Sequence, residues 1–383
     1  MTGRNPATIA ASAGVGTDES HNDLVPPLHA SDTFCWDDPE AKPPYDYSRT
    51  VNPTRDLLTQ ALAELEGAAG GAITGSGQSA ALLALLQLRP GALVVAPHDC
   101  YGGTYRLFCG LQEKGLIRAV FVDQGDDEAY GAALEQEPSL VWLETPSNPL
   151  LRIVDIADRA AKAKAAGAQT IADNTLMTPL RQQPLRLGCD YVLHSTTKAI
   201  NGHADLFGGT LLCARPEQVE MLHWWANAAG LNAGAQDCWA TLRGMRTLPL
   251  RVARQEATAA SLAEWLAGQE QVHALRFPGL GDFAGADIAA RQQSGPGFML
   301  SFRLAGGAEA ANRFVAALRL VKLASSLGGF ATLICKPASM THRGMPPEAQ
   351  AEAGIHPDLL RLSVGLEEPD DLIADLTRGI AAI

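Results

Sequence analysis

Three short stretches carry side chains whose types and spacing could do chemistry. Ser195-Thr196-Thr197-Lys198 sets three hydroxyls and an amine one residue past the apolar run Tyr191–Leu193. A lysine that is to form an imine with a carbonyl must shed its proton easily, and desolvation at a strand end inside a cleft provides for that. Ser195 and Thr197 could donate to a phosphate beside it, whereas the bland reading of Lys198 is a solvated charge. Asp173 closes Ile171-Ala172-Asp173. Against a pyridine nitrogen its carboxylate would keep the ring protonated and electron-withdrawing, while the bland reading is a cap on the next helix. Thr74-Gly75-Ser76-Gly77-Gln78-Ser79 opens a helix, where glycines admit an anion and first-turn N–H groups stabilise it.

An imine-forming lysine, an aspartate for a pyridine nitrogen and a phosphate-binding helix start are together the requirements of pyridoxal phosphate, with Lys198 as its carrier. Two rival motifs overlap them. Gly75 to Ala80 also reads G-x-G-x-x-A, a nicotinamide fingerprint, but the strand before it is only Ala72-Ile73-Thr74, and a dinucleotide site normally begins at a chain's first strong strand. Ser195-x-x-Lys198 matches the S-x-x-K of penicillin-recognising hydrolases, but their S-D-N and K-T-G strings are absent.

The elements that must position these groups follow from periodicity. Pro26-Pro27, Pro39 and Pro43-Pro44 punctuate an N-terminal arm with little hydrophobic repeat, so it must borrow its order from elsewhere. Leu58, Leu62 and Leu65 predict a helix from Pro53 that Gly67 stops, and a second helix follows Gly77. Apolar strands at Leu93–Ala96, Ala119–Val122, Leu140–Leu143, Thr170–Ala172, Tyr191–Leu193 and Gly209–Cys213 alternate with helical stretches such as Asp155–Gly167. The pattern predicts an α/β fold with a mostly parallel sheet covered on both faces. Ligands then sit beyond the strands' carboxyl ends, which singles out Glu144, Asp173 and His194 to Lys198. Past residue 248 the pattern changes: a helix over Ala253–Gly268, a strand at Phe298–Phe302 and a last helix around Leu372–Arg378 predict a smaller α+β domain. The expected division is an arm (1–58), a large cofactor-binding domain (59–248) and a C-terminal domain (249–383).

Bulk properties narrow the partners. With 383 residues and 46% hydrophobic content, a large core is expected. Thirty basic against 42 acidic residues give −12, with no basic block, so neither nucleic acid nor anionic membrane is expected as a partner. No apolar run reaches the roughly 20 residues a membrane span needs, and no leader-like segment opens the chain; a cytoplasmic location is expected. Seven scattered cysteines without C-x-x-C spacing predict reduced thiols, and nine dispersed histidines predict no metal site.

Longer strings carry a resemblance. DYSR-x-x-NPTRD (Asp46–Asp56), APHDCYGGTYRLF (Ala96–Phe108), E-x-PSNPLLR-x-VDI (Glu144–Ile156), DNT (Asp173–Thr175), HS-x-TK-x-x-NGH-x-D (His194–Asp205), PASMTH (Pro337–His342) and LRLSVGLE (Leu360–Glu367) occur in this order. Over its whole length the chain resembles the Cys/Met-metabolism branch of fold-type I pyridoxal phosphate enzymes, and within it the bacterial γ-synthases. The resemblance implies a seven-stranded, mostly parallel sheet between helices, and a homotetramer built as a dimer of dimers with shared active sites. It makes Lys198 the cofactor lysine and acid–base catalyst and places Asp173 on the pyridine nitrogen. Gly77, Gln78, Ser195 and Thr197 would hold the phosphate, joined by Tyr47 and Arg49 from the neighbouring subunit. Tyr101 would stack on the ring and share in catalysis, and Asn148 would sit by the ring hydroxyl. Arg361 would clamp the substrate α-carboxylate, with Ser326 and Asp46 also at the substrate and Arg106 toward its far end.

The implied reaction is γ-replacement on an O-acylhomoserine, O-succinylhomoserine foremost, with cysteine to give cystathionine. γ-Elimination is the alternative, and a non-catalytic paralogue a remote one. The chain departs from the γ-synthase pattern where specificity is set. Thr50 stands for a second arginine, Ser325 and Ala331 for two glutamates, Ala199 for the aromatic after the lysine, and Lys336 for a residue that is usually histidine. A distal carboxylate is best held by guanidinium forks, so the lost arginine weakens the case for a succinyl group.

Overall fold

The computed structural model describes residues 3–383. Seven strands build the large sheet: β1 (Gly70–Thr74), β2 (Ala92–Pro97), β3 (Ile117–Val122), β4 (Leu140–Glu144), β5 (Gln169–Asp173), β6 (Tyr191–His194) and β7 (Gly209–Cys213). Their order is β1-β7-β6-β5-β4-β2-β3, and β7 alone runs antiparallel to its neighbours. Side-chain alternation buries both faces. Leu140 and Trp142 point into a core with Val94, Phe108 and Ile171, while Val141 and Leu143 point into one with Val95, Tyr130 and Ile156. The short run 72–74 that hardly reads as a strand is lengthened to five residues by its register with β7 from Gly70↔Cys213 to Thr74↔Gly209.

The first long helix, Pro53–Glu66, has the ends its sequence promises. Asn52 caps it by accepting from the N–H groups of Thr54 and Arg55, and Gly67 leaves it at φ 71°. This helix runs across residue 58, and Leu58 itself is fully buried. The arm is also less dependent than its composition suggests. A short helix, Pro6–Ala11, docks Ile9 and Ala10, with Ala13 just past its end, into the same core as Leu58, Met245 and Val252.

Beyond the large sheet the helix Leu248–Ala267 starts five residues before the expected Ala253, with Pro249 in its first turn. It covers a second sheet of five strands, β8 (Val272–Arg276), β9 (Met299–Leu304), β10 (Lys322–Leu323), β11 (Leu333–Cys335) and β12 (Leu360–Ser363), ordered β10-β11-β12-β9-β8. The last helix, Pro369–Ile380, extends two to three residues past each end of the expected one. Among the described residues no helix is long and apolar enough to cross a membrane, and all seven cysteines are free.

Candidate active site

A cavity of about 400 Å³ opens where β4, β5 and β6 end, roofed by residues of the second sheet and its loops. Parallel register sets its floor: Glu144 lies opposite Asp173, and Asp173 opposite Leu193. The chain leaves β6 through Ser195 and turns back so that Lys198 projects into the cavity, with Lys198 N–H donating to Ser195 O at 3.1 Å. Lys198 Nζ donates to Ser326 Oγ at 3.0 Å. Ser326 holds φ +99°, left-handed backbone that a non-glycine residue adopts only under surrounding constraint. Burial, and then the nearby Arg361 charge, pulls the Lys198 amine down to about 8.

Asp173 stands on the cavity floor without an ion-pair partner among the described residues. Its Oδ1 accepts from Thr175 N at 3.0 Å within a turn, and the next helix, Thr178–Arg181, carries no side-chain cap, so Asp173 does not cap it. Burial raises its pKa, opposed by the hydrogen bonds from Thr175 and by the charge of His194. Behind it His194 Nε2 meets Glu66 Oε1 at 2.6 Å with both side chains inaccessible, and Asn174 Nδ2 reaches the same oxygen at 3.0 Å.

The helix Gly77–Leu86 points its N-terminus at the same space. Ser76 caps it by accepting from Ser79 N at 3.1 Å. A Cβ on Gly77 would lie 2.8 Å from Ser195 Cβ, so only glycine lets the helix start and the lysine loop meet. A Cβ on Gly103 would lie 2.5 Å from the Tyr101 ring and 3.2 Å from Gln78 Nε2, which places that ring over the helix start. Thr197 Oγ1 is engaged with Gly208, donating to its O at 3.1 Å and accepting from its N at 2.9 Å. Ser195 Oγ has no protein partner among the described residues and is the readier donor.

Arg361, in β12, is buried. Its Nη1 donates to Asn148 Oδ1 and its Nη2 to Ser326 O, both at 2.8 Å, while Nε is buried without a partner. Glu144 fixes the opposite wall, accepting from Tyr101 N at 2.9 Å and Asn148 N at 3.1 Å, and burial drives its pKa well up. Thr341 also lines the cavity, and burial takes its neighbour His342 down to about 4.

Lys198, Asp173, Gly77, Gln78, Ser195, Thr197, Tyr101, Asn148, Ser326 and Arg361 thus meet in one cavity. Four other expected residues do not line it. Arg49 donates to Asn227 O at 2.9 Å and Oδ1 at 2.7 Å, with its guanidinium 5.4 Å from the Tyr47 ring centre. Tyr47 is 43% exposed and Arg49 is exposed as well. Asp46 pairs with Lys42 at 3.1 Å, and Arg106 is exposed on the helix Gly102–Glu113. Of the departures, Ser325 lines the cavity, Thr50 reaches Asn227 Oδ1 at 3.4 Å, Ala199 is buried under Arg251, and Lys336 bonds Asn312. Ala331 is half-buried outside the cavity lining. Sequence reading names Ser76 and Thr175 within their strings without giving either a role of its own, and passes over Glu66. Ser76 carries a detectable signal as a serine before a helix, whereas Glu66 is only the last residue of one.

These residues fit pyridoxal phosphate. An unpaired buried carboxylate suits a pyridinium nitrogen, a helix N-terminus beside a free hydroxyl suits a phosphate, and a lysine at about 8 suits an aldehyde. The family model for the Cys/Met metabolism PLP-dependent enzymes matches residues 7–381. The chain is 49% identical to cystathionine gamma-synthase of Escherichia coli K12 over 99% of its own length and 98% of the relative's. To cystathionine gamma-lyase of Bacillus subtilis 168 it is 37% identical, over 98% and 99%. A crystal structure of cystathionine gamma synthase from Xanthomonas oryzae pv. oryzae, in complex with aminoacrylate and cysteine, superposes with a TM-score of 0.98 at 48% identity, covering 100% of this chain and 99% of that one.

Proposed function

The chain belongs to the Cys/Met metabolism PLP-dependent enzymes, and from that footing we propose that it exchanges the γ-acyloxy group of an O-acylhomoserine, O-succinylhomoserine first, for the sulfur of cysteine. The Cγ–O bond breaks, a Cγ–S bond forms, and the thiol proton balances the departing carboxylate, giving cystathionine. The convergence of Lys198, Asp173 and Arg361 in one cavity carries this reading.

Bound pyridoxal phosphate supplies an electron sink for negative charge developing on the substrate carbons. Lys198 Nζ would hold the cofactor, and its free amine would take the proton from Cα, give it up, and then take one from Cβ; an amine near about 8 can both accept and return one close to neutral pH. Ser326 Oγ, 3.0 Å from Nζ, orients the amine between these transfers. Asp173 provides the fixed negative charge for the pyridine nitrogen, and Thr175 keeps that carboxylate from rotating. Ser195 and Thr197 with the Gly77 and Gln78 N–H groups take the phosphate. Tyr101 covers the ring, and Asn148 holds the Arg361 fork flat to receive the α-carboxylate.

The arm (1–58) serves the neighbouring site: Tyr47 and Arg49 reach its phosphate within a homotetramer built from dimers, and Asp46 reaches its substrate. Residues 59–248 bind cofactor and 249–383 close over the substrate. The enzyme works in the cytoplasm. Among the described residues, Lys198 and Arg361 are the only cations lining this cavity, so the acyl carboxylate depends on Arg106 or a neighbour's guanidinium. That feature favours γ-elimination to a 2-oxo acid and ammonia as the second reading. Steady-state assays of the holoenzyme with O-succinylhomoserine, with and without cysteine, separate the two. Cystathionine formed faster than 2-oxo acid supports replacement, and absence of cystathionine overturns it.

A further inference from the structure

Behind the wall formed by Glu144 lies a second cavity of about 450 Å³. Glu144 lines both cavities. The second one sits beyond the carboxyl ends of β2 and β4, where the strand order reverses direction: from β2 the chain moves outward to β3, and from β4 it moves the other way to β5. Open α/β sheets place ligands at such a point.

The charges around this cavity are unevenly satisfied. Asp99 accepts from Ser147 Oγ at 2.5 Å and faces Arg152 Nη1 at 3.4 Å. Arg152 also bonds His98 Nε2 at 2.6 Å and Ala353 O at 3.2 Å. Arg276, the last residue of β8, is half-buried and has no hydrogen-bond partner among the described residues. Burial and the like charge of Arg152 both lower its pKa, and Asp99 alone opposes them. Asp99 therefore pairs with Arg152 and leaves the Arg276 guanidinium without an ion-pair partner among the described residues. Of the aspartates that also line the cavity, Asp123 uses Oδ1 to accept from Gly125 N at 2.8 Å, and Asp126 uses Oδ1 for Glu128 N at 2.9 Å and Ala129 N at 3.2 Å. Each keeps its Oδ2 without a partner among the described residues.

We propose that this cavity binds a free α-amino acid, its carboxylate between Arg276 and Arg152 and its ammonium toward Asp123 and Asp126. Guanidinium groups and spare carboxylate oxygens lining one cavity match a zwitterion, and the space suits a small ligand. Glu144 links it to the active site, because its carboxylate holds the backbone of both Tyr101 and Asn148. An occupant bound against Glu144 therefore biases the placement of Tyr101 and of Arg361, in proportion to its preference for one arrangement of that wall.

Calorimetric titration of the holoenzyme with L-alanine, L-methionine and L-glutamate tests this. Cofactor absorbance recorded in parallel marks occupancy of the active site. The expected result for at least one probe is a saturable heat without absorbance change. It should weaken about 10–100-fold in Arg276→Gln and again in Asp123→Asn, the loss of one charged contact in each. The KM for the acylhomoserine stays within about twofold in both variants, since neither residue lines the active site. No absorbance-silent heat with any probe, silent heat that survives both substitutions, or equal binding of acetate, which lacks the ammonium, overturns the proposal.

Discussion

Replacing Arg361 by lysine tests the substrate clamp most directly. Two of its five N–H groups are committed, to Asn148 Oδ1 and Ser326 O at 2.8 Å each, while the buried Nε and the second hydrogens of the terminal nitrogens remain for a carboxylate. A bidentate contact comprises two charge-assisted bonds at about 1.5–3 kcal/mol each, and lysine as a point charge retains one. Arg361→Lys is therefore expected to lose about 1.5–3 kcal/mol of binding, roughly 10–150-fold in kcat/KM. The α-carboxylate keeps its charge throughout the reaction, so the loss falls on KM for the acylhomoserine and leaves kcat nearly unchanged. Initial rates at saturating cysteine measure it, with cofactor absorbance confirming equal loading. In the cofactor-free protein the Lys198 amine, near about 8, stays in place in Arg361→Lys because the positive charge is kept, whereas Arg361→Met moves it upward but short of the ordinary 10.5, since burial is the larger cause. An unchanged KM in Arg361→Lys, or a loss confined to kcat, refutes the clamp.

With cofactor removed, the Lys198 amine is expected to titrate near about 8 in reductive methylation. Its proton is held less tightly in the fold than in the unfolded chain, so apo-protein stability against urea rises as pH climbs from about 8 toward 10.5 and levels off beyond. Gly77→Ala forces a methyl to 2.8 Å from Ser195 Cβ; overpacking of about 1–3 kcal/mol is expected to weaken pyridoxal phosphate about 5–150-fold by equilibrium dialysis. Glu66→Ala strips the buried partner of His194 and is expected to cost about 3–5 kcal/mol, read as a lower urea midpoint. If Arg49 serves the neighbouring site, mixing Lys198→Ala and Arg49→Ala chains by unfolding and refolding restores roughly a quarter of wild-type activity, one intact site in each hybrid dimer. Activity no higher than that of the separate variants counts against a shared site.

What the sequence determined by itself is local and periodic. Strand ends were legible because apolar runs alternate with helical stretches, and with them Asp173 and Lys198 as groups that line the cavity beyond those ends. The start of the helix at Gly77 and the stop at Gly67 were legible because glycine answers a backbone demand made within one turn. The roles of Tyr101, Asn148 and Arg361 came from family resemblance, because nothing in their own neighbourhoods marks them.

Tertiary structure decided the rest. Arg361 meets Asn148 across 213 positions and Lys198 meets Ser326 across 128. Such contacts depend on strand order and on the docking of one sheet against another, which no local period encodes. The same holds for Glu66 beneath His194 and for Arg276 brought beside Arg152: each charge reads from sequence as a surface residue until the fold removes its water. The arm shows the opposite case, where a proline-punctuated composition hid the three small contacts of Ile9, Ala10 and Ala13 that dock it to the core. Side-chain type and spacing set which chemistry was available; burial and long-range packing set which of those groups share one cavity.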